Sequence, residues 1–179
     1  PGGWGLGWAR RAGAAGADRV WDPAGGGGVA GSGQPGFVRR AVSALAARTG
    51  TWVDVSACSV YAEHDAIGAD ESAALLPGFA GDDATMEVYG AAKVACEQTV
   101  LDAVGKDKSV IVRSGLIGGP GDHTDRTGCW PWPFAIPAPD DGRVFDPAAH
   151  EFATQAIAVR HLALWPHPLR GGRRARLFV

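Results

Sequence analysis

The sequence predicts an α/β fold in which helices cover a parallel sheet. Residues 51–56 (TWVDVS) and 109–113 (SVIVR) are short runs rich in β-branched side chains, which is typical of buried strands. Residues 37–48 and 86–104 carry apolar side chains at helical spacing and therefore predict two helices. Helix, strand, long helix and strand follow one another along the chain, and this alternation favours a parallel sheet with helices packed against it.

The segments outside these four elements differ from them in composition. Residues 1–27 are rich in Gly and show no sustained period, so we expect an irregular start that is not part of the native fold. Residues 62–83 are acidic and interrupted by Gly and Pro, which predicts a long surface excursion. Residues 154–165 form a last amphipathic segment, interpreted as a strand followed by a helix. The Arg-rich residues 166–179 are expected to be a solvated basic tail.

Composition excludes several classes of protein. The chain has 179 residues, of which 46% are hydrophobic and 20% charged, with a formal net charge of −2. Such a chain can bury a core, and neither a disordered tail nor a nucleic-acid binder held by bulk positive charge is indicated. No long apolar run or signal-peptide pattern is present, so we expect a cytoplasmic protein with no membrane partner.

Cysteine and histidine spacing does not predict a metal centre. The three cysteines are scattered without a CxxC pair, which argues against a disulfide scaffold or a cysteine-built zinc site. His123, Cys129 and His150 match no zinc-ligand spacing either. No metal is therefore predicted.

The strongest chemical signal is a Tyr and a Lys four residues apart, in Tyr89-Gly90-Ala91-Ala92-Lys93. On a helix, this spacing places both side chains on one face about one turn apart. A phenol has an ordinary pKa of about 10, so it works as an acid or base near neutral pH only when its environment favours the phenolate. A nearby ammonium has that effect, particularly in a cleft of low dielectric. The alternative interpretation is a surface Tyr packed on the aliphatic part of a Lys.

Three ordered segments carry a resemblance to a known family. They are residues 53–61 (VDVSACSVY), 89–97 (YGAAKVACE) and 112–122 (VRSGLIGGPGD). Together they resemble the extended short-chain dehydrogenase/reductase superfamily, specifically the NAD-dependent epimerase/dehydratase group. The resemblance covers about residues 28–165 and implies a Rossmann-like, doubly wound parallel sheet. It also implies bound NAD or NADP, and substrate-side loops of a small substrate-binding region from about residue 118.

The resemblance assigns roles to four residues. Tyr89 is expected to be the catalytic acid/base, and Lys93 to assist catalysis by making the phenol more acidic. Both residues are also expected to bind the cofactor, with Lys93 on the nicotinamide ribose. Ser114 and Gly115 match the family segment that runs beside the nicotinamide. The expected substrate is a small molecule with a sugar-like or other carbonyl or alcohol carbon.

Two departures from the family pattern bear on activity. The family places a Ser or Thr four residues before the Tyr of its Val-Tyr pair, and here that position is Ala57. Ser59 is our predicted stand-in as a catalytic hydroxyl, on the same face as Ala57 if the strand continues, whereas Ser56 would face the other way. The family's glycine-rich dinucleotide fingerprint would precede residue 1, so the chain is expected to lack its first strands.

The sequence therefore leaves two functions open. The first is an NAD(P)-dependent oxidoreductase of the epimerase/dehydratase type. A homodimer is a further possibility for this protein. The second is a non-catalytic nucleotide- or RNA-binding remnant of the same fold, although charge makes nucleic acid a less favoured partner. Trp130 to Phe134 are expected to form a pocket wall, with core packing as the alternative, and Cys96 is expected to be a small buried residue. The acids of 62–83 are expected to be solvated, with Glu71 or Asp82 lining the cleft as the alternative.

Overall fold

The computed structural model describes residues 28–121, 132–136, 154–164 and 177–178. The predicted alternation of helices and strands is present within them. The elements in chain order are β1 (Gly28–Ala30), α1 (Pro35–Leu45), β2 (Trp52–Ala57), α2 (Tyr89–Val104), β3 (Ser109–Ser114), β4 (Leu116–Gly118), α3 (Trp132–Ala135), β5 (Ala156–Ala158), α4 (Val159–Leu164) and β6 (Leu177–Phe178). Single 3₁₀ turns cover Ala46–Arg48, Cys58–Val60 and Met86–Val88.

A four-stranded parallel sheet forms the centre of the fold. Its strand order is β1-β2-β3-β6, and every neighbouring pair is parallel. β2 and β3 pair along their whole length, from Trp52 opposite Ser109 to Ala57 opposite Ser114. Because all strands run the same way, their carboxyl ends lie at one edge of the sheet. A second, two-stranded parallel sheet joins β4 to β5.

Helices α1 and α2 cover one face of the sheet. In α1, Val38, Ala41, Val42 and Leu45 recur at the spacing of an apolar helical stripe. This stripe packs with Trp52 of β2 and with residues of α2 in one apolar cluster. Pro35 lies in the first turn of α1, where its missing N–H leaves no helical hydrogen bond unmade.

The other face has its own apolar cluster. Alternation along the strands turns Val53 of β2 and Val110 and Val112 of β3 away from α2. These side chains pack with Ile157 of β5 and Leu162 of α4. Both faces of the sheet are therefore covered, which explains why β2 and β3 have apolar side chains on both sides.

The excursion after β2 returns to the start of α1. The Gln34 side-chain amide donates to the Ala84 carbonyl at 2.9 Å and accepts from the Ala84 N–H at 2.7 Å. Gly36 N–H donates to the Asp82 carbonyl at 2.9 Å, and Arg39 forms an ion pair with the Asp82 carboxylate. Residues 82–84 are thus fastened to α1, while the excursion remains mostly exposed, as its composition predicts.

The predicted elements agree with the structure to within a few residues. The second helix begins as a 3₁₀ turn at Met86 and becomes α-helical at Tyr89, and the 154–165 segment is a strand followed by a helix. One expectation fails in part: Leu177–Phe178 of the predicted solvated tail pairs with β3. An uncovered strand edge offers unpaired backbone groups, which this short strand satisfies. The irregular start over 1–27 and most of the substrate-side loops lie outside the described residues.

Candidate active site

The candidate site lies where α2 begins, at the carboxyl edge of the sheet. Tyr89 is the first residue of α2, and Lys93 follows one turn later. The Lys93 Nζ atom lies 6.0 Å from the centroid of the Tyr89 ring. The structure therefore brings the phenol and the ammonium to the same side of the helix.

The Lys93 ammonium is buried and held by the sheet backbone. Lys93 is only 3% exposed. Its Nζ donates to the Ser32 carbonyl at 2.9 Å and to the Val55 carbonyl at 2.8 Å. Ser32 follows the end of β1 and Val55 belongs to β2, so the ammonium joins the two strands to α2. An ammonium has three N–H donors, and these two carbonyls take two of them within the described part of the chain.

The position of Tyr89 depends on two close backbone approaches. A Cβ atom at Gly33 would lie 3.1 Å from Tyr89 Cε2, so the Tyr ring packs directly against this loop after β1. A Cβ atom at Gly90 would overlap the Ser59 carbonyl oxygen, which shows that only Gly fits there. The start of α2 can therefore sit against the turn after β2, and Tyr89 remains half-buried.

Ser59 does not lie on a continuation of the strand that contains Ala57. β2 ends at Ala57, and Ser59 lies in the 3₁₀ turn Cys58–Val60. The condition for Ser59 to share a face with Ala57 is therefore not met, because the backbone turns at this point. The turn nevertheless places the Ser59 backbone against Gly90, next to Tyr89.

Ser114 and Gly115 lie at the end of β3, at the same edge of the sheet. Ser114 is 3% exposed, and its Oγ is 3.4 Å from the Ser56 carbonyl, to which it donates. Gly115 packs on the backbone of Gln155, whose carbonyl accepts from the Leu116 N–H at 2.8 Å. A side chain at position 115 would collide with that carbonyl, so the packing of the backbone here requires Gly. This requirement is separate from the cofactor-side role that the resemblance implies for Gly115.

The remaining predicted residues lie apart from this pair. Asp82 is exposed and engaged with Arg39, and Glu71 is exposed on the excursion. Trp132 and Phe134 are 61% and 63% exposed, which does not favour core packing. Cys96 is buried, as expected, and burial together with the Asp54 carboxyl raises its pKa to about 12.

The residues that the structure describes contain neither a candidate metal site nor a helix that could span a membrane. No group of three or more His, Cys, Asp or Glu side chains there is placed to hold a metal ion. His123, Cys129 and His150 lie outside those residues. No helix in the same part of the chain is long and apolar enough to cross a membrane.

A buried ion pair lies farther along α2, and the sequence reasoning missed it. Arg113 of β3 donates to both oxygens of Glu97, with its Nη2 2.8 Å from Oε2 and its Nε 3.0 Å from Oε1. Its Nη1 donates to the Tyr61 hydroxyl at 3.0 Å. The Glu97 side chain is 3% exposed and that of Arg113 14%. Glu97 lies four residues after Lys93, and this helical spacing places it on the same face of α2. That placement is the sequence signal that could have identified Glu97 as a buried charge.

Asp54 is the second buried group that was missed. It lies in β2 between Val53 and Val55, is fully buried, and faces α2 beside Lys93, Cys96 and Glu97. Neither of its carboxyl oxygens has a hydrogen-bond partner within the described residues. Burial raises the pKa of Asp54 to about 7, against the opposing effect of Lys93 and with a smaller contribution from Glu97.

Comparison with known proteins shows one distant likeness in structure. No protein-family model matches the chain, and no curated protein matches it. A solved structure of a functionally unknown conserved protein from Silicibacter pomeroyi DSS is similar over 76% of this chain, with 21% identity and a TM-score of 0.49. The chain spans 42% of the length of that protein.

Proposed function

We propose that this chain carries the proton-transfer centre of an NAD(P)-dependent oxidoreductase of the epimerase/dehydratase type. The observation that carries the proposal is the Tyr89/Lys93 pair, with the ammonium anchored on the backbone of two parallel strands. The substrate would be a small molecule with a sugar-like or other carbonyl or alcohol carbon.

The position of the pair supports this proposal. In open α/β sheets, ligands bind outside the carboxyl ends of the strands, and Ser32, Tyr89 and Ser114 all lie at that edge. The strand order β1-β2-β3-β6, with every pair parallel, supports the further proposal that these strands form part of a Rossmann-like, doubly wound sheet.

The donors present fit a nicotinamide ribose. Lys93 is buried but uses only two of its three N–H donors on Ser32 and Val55 within the described structure, which leaves donor capacity at the edge where Tyr89 lies. Ser114 and Gly115 would line the neighbouring strand end. When bound, NAD(P) supplies or accepts the hydride.

Tyr89 would move the proton in this reaction. Its hydroxyl would donate to a substrate oxygen during reduction and, as phenolate, would accept the proton back during oxidation. Lys93 favours the phenolate through its positive charge, which acts more strongly at a buried site than in water. The two backbone acceptors fix the ammonium, so little reorganisation is needed when charge develops on the phenol.

The third catalytic group is where this site departs from the family. Ala57 has no hydroxyl, and Ser59 lies in a turn beyond the strand. Loss of one donor to a developing oxyanion typically costs about 10²–10³ in rate. In this proposal Ser59 would serve as the substitute donor from the turn rather than from the strand, and a correspondingly slower reaction is expected.

A second candidate function is favoured by that same departure. The chain would then be a non-catalytic nucleotide- or RNA-binding remnant that keeps the scaffold and the anchored Lys93. This alternative predicts binding without turnover. A fluorescently labelled RNA would bind in place of the nicotinamide cofactor if nucleic acid is the partner.

Cofactor binding is the first test. NADH and NADPH are titrated into the protein while the nicotinamide fluorescence is recorded, for the unaltered chain, Lys93→Met and the exposed control Lys106→Met. We expect saturable binding of one cofactor, weakened at least about tenfold by Lys93→Met and unchanged by Lys106→Met. Circular dichroism checks the fold of each variant. Absence of saturable binding of both cofactors to the unaltered chain would overturn the proposal.

Turnover is the second test. Tyr89→Phe removes the phenolic proton but keeps the ring that packs on Gly33. We expect unchanged cofactor binding and a rate of hydride transfer at least about 10²-fold lower, measured at 340 nm in single turnovers of bound cofactor with a panel of carbonyl and alcohol substrates. Equal rates for both proteins would remove Tyr89 from the mechanism, and binding without any turnover would favour the second candidate.

A further inference from the structure

Asp54 lies beneath the proposed proton-transfer pair in a group of buried charges. It is fully buried in β2 and faces α2, and both its oxygens lack a hydrogen-bond partner in the described structure. α1 contributes Arg39, which is engaged by Asp82, and β1 carries no ionisable side chain. The ionisable groups that interact electrostatically with it are Lys93, Cys96 and Glu97 on α2, and Glu97 in turn binds Arg113 of β3, which contacts Tyr61.

The net charge of this buried group depends on whether Asp54 is ionised. Glu97 and Arg113 are joined by a two-pronged ion pair, so their charges cancel locally. Lys93 and Asp54 remain. With Asp54 neutral, the ammonium is an uncompensated positive charge beside Tyr89, and with Asp54 ionised that charge is cancelled.

We infer that Asp54 is a positioning residue for Tyr89, acting through Lys93: the charge state of its buried carboxyl decides how strongly the ammonium favours the phenolate. This inference rests on the proposed function, in which Tyr89 is the acid/base. Asp54 itself does not touch the substrate, because it is fully buried behind α2.

The signs of the two charges fix the direction of the effect. While Asp54 is neutral, its carboxyl does not oppose the effect of the Lys93 ammonium on Tyr89. As pH rises past about 7, where burial places the pKa of Asp54, the carboxylate forms and opposes the phenolate. Ionisation of Asp54 thus makes the Tyr89 phenol less acidic in alkaline solution.

Nuclear magnetic resonance can measure this coupling without substrate or cofactor. The chain contains two tyrosines, so ¹³Cζ labelling gives two ring signals, which Tyr89→Phe assigns. We compare the pH titration of the Tyr89 signal in the unaltered chain, in Asp54→Asn and in the exposed control Asp82→Asn. Asn cannot ionise, so Asp54→Asn is expected to shift the Tyr89 midpoint downward by on the order of one pH unit, tenfold in the dissociation constant.

Tyr61 serves as the internal reference. It responds to Arg113, Glu97 and Glu71, and its signal should titrate alike in all three proteins. If Asp54→Asn does not fold, the unaltered chain still answers the question. Its Asp54 carboxyl signal should titrate near neutral pH, with a small step in the Tyr89 signal at the same pH.

Three outcomes overturn the inference. They are an unchanged Tyr89 midpoint in a folded Asp54→Asn, equal shifts in Asp54→Asn and Asp82→Asn, or an Asp54 carboxyl that titrates without any step at Tyr89. The titration is independent of the cofactor experiments. Coupling without NADH or NADPH binding would contradict the proposed function alone, and binding without coupling would contradict this inference alone.

Discussion

Replacing Asp54 by Asn should change how the stability of the protein depends on pH. In the unfolded chain, an Asp ionises with a pKa of about 3.8, whereas in the folded protein burial keeps Asp54 neutral up to about pH 7. The folded state therefore binds one more proton than the unfolded state throughout this interval. Stability must fall as pH rises through it, and the contribution becomes constant above about pH 7.

The size of the effect follows from the two pKa values. A pKa rise from 3.8 to about 7 corresponds to about 4 kcal/mol, at about 1.4 kcal/mol per pH unit. Between pH 5 and pH 8, where the measurement is practical, ionisation of Asp54 is expected to lower the free energy of unfolding by about 3 kcal/mol. Asn has nearly the same shape and does not titrate, so Asp54→Asn should gain about this much relative to the unaltered chain over the same range.

Urea unfolding at several pH values measures the difference. Trp52 is fully buried on the same face of β2, so Trp fluorescence contributes a probe of this region of the core. Other titrating groups are common to both proteins and cancel in the comparison, provided that the urea dependence of the free energy of unfolding is the same. Asp82→Asn, at an exposed ion pair, is the matched control and should follow the unaltered chain closely. Parallel stability curves for Asp54→Asn and the unaltered chain would refute the reasoning.

Three other substitutions or modifications test the remaining contacts. Glu97→Ala leaves the guanidinium of Arg113, which is only partly exposed, without its counter-charge. Urea unfolding should show a loss of about 3–5 kcal/mol, and a loss below about 1 kcal/mol would contradict a strong ion pair at this position. Gly90→Ala drives a methyl group into the Ser59 carbonyl and should lower stability by about 1–3 kcal/mol, whereas Gly78→Ala, with only ordinary contacts, should cost less in the same assay. The buried thiol of Cys96, whose pKa is raised to about 12, should resist iodoacetamide in the folded protein; labelling of its peptide, detected by mass spectrometry without unfolding, would contradict this burial.

The sequence predicts the central elements because their physical signals are local. β2 and β3 are short runs rich in β-branched residues, and α1 and α2 carry periodic apolar residues, so the sequence predicts each element to within a few residues. The Tyr89/Lys93 pair was also recognisable, since helical spacing alone brings the two side chains to one face.

The partners of these residues were not predictable in the same way. Lys93 is held by the backbone carbonyls of Ser32 and Val55, and a carbonyl carries no residue-specific signal. The strand ends at Ala57 because the next residues turn, which the small side chains around Ser59 do not reveal. Asp54 did carry a signal, because a carboxylate inside a buried strand is rare and costly unless it is paired or neutral.

The position of the Lys93 ammonium depends on the register of β1 and β2. Its ammonium bonds to carbonyls 61 and 38 residues earlier in the chain, one beyond β1 and one within β2. A slip of a single residue between those strands would turn one of these carbonyls away, and the ammonium would lose one of its two hydrogen-bond acceptors. The ammonium is therefore held at the start of α2 only when β1 and β2 pair in the observed register. Under the proposed function, a misregistered but compact chain would lack the anchored charge that favours the Tyr89 phenolate.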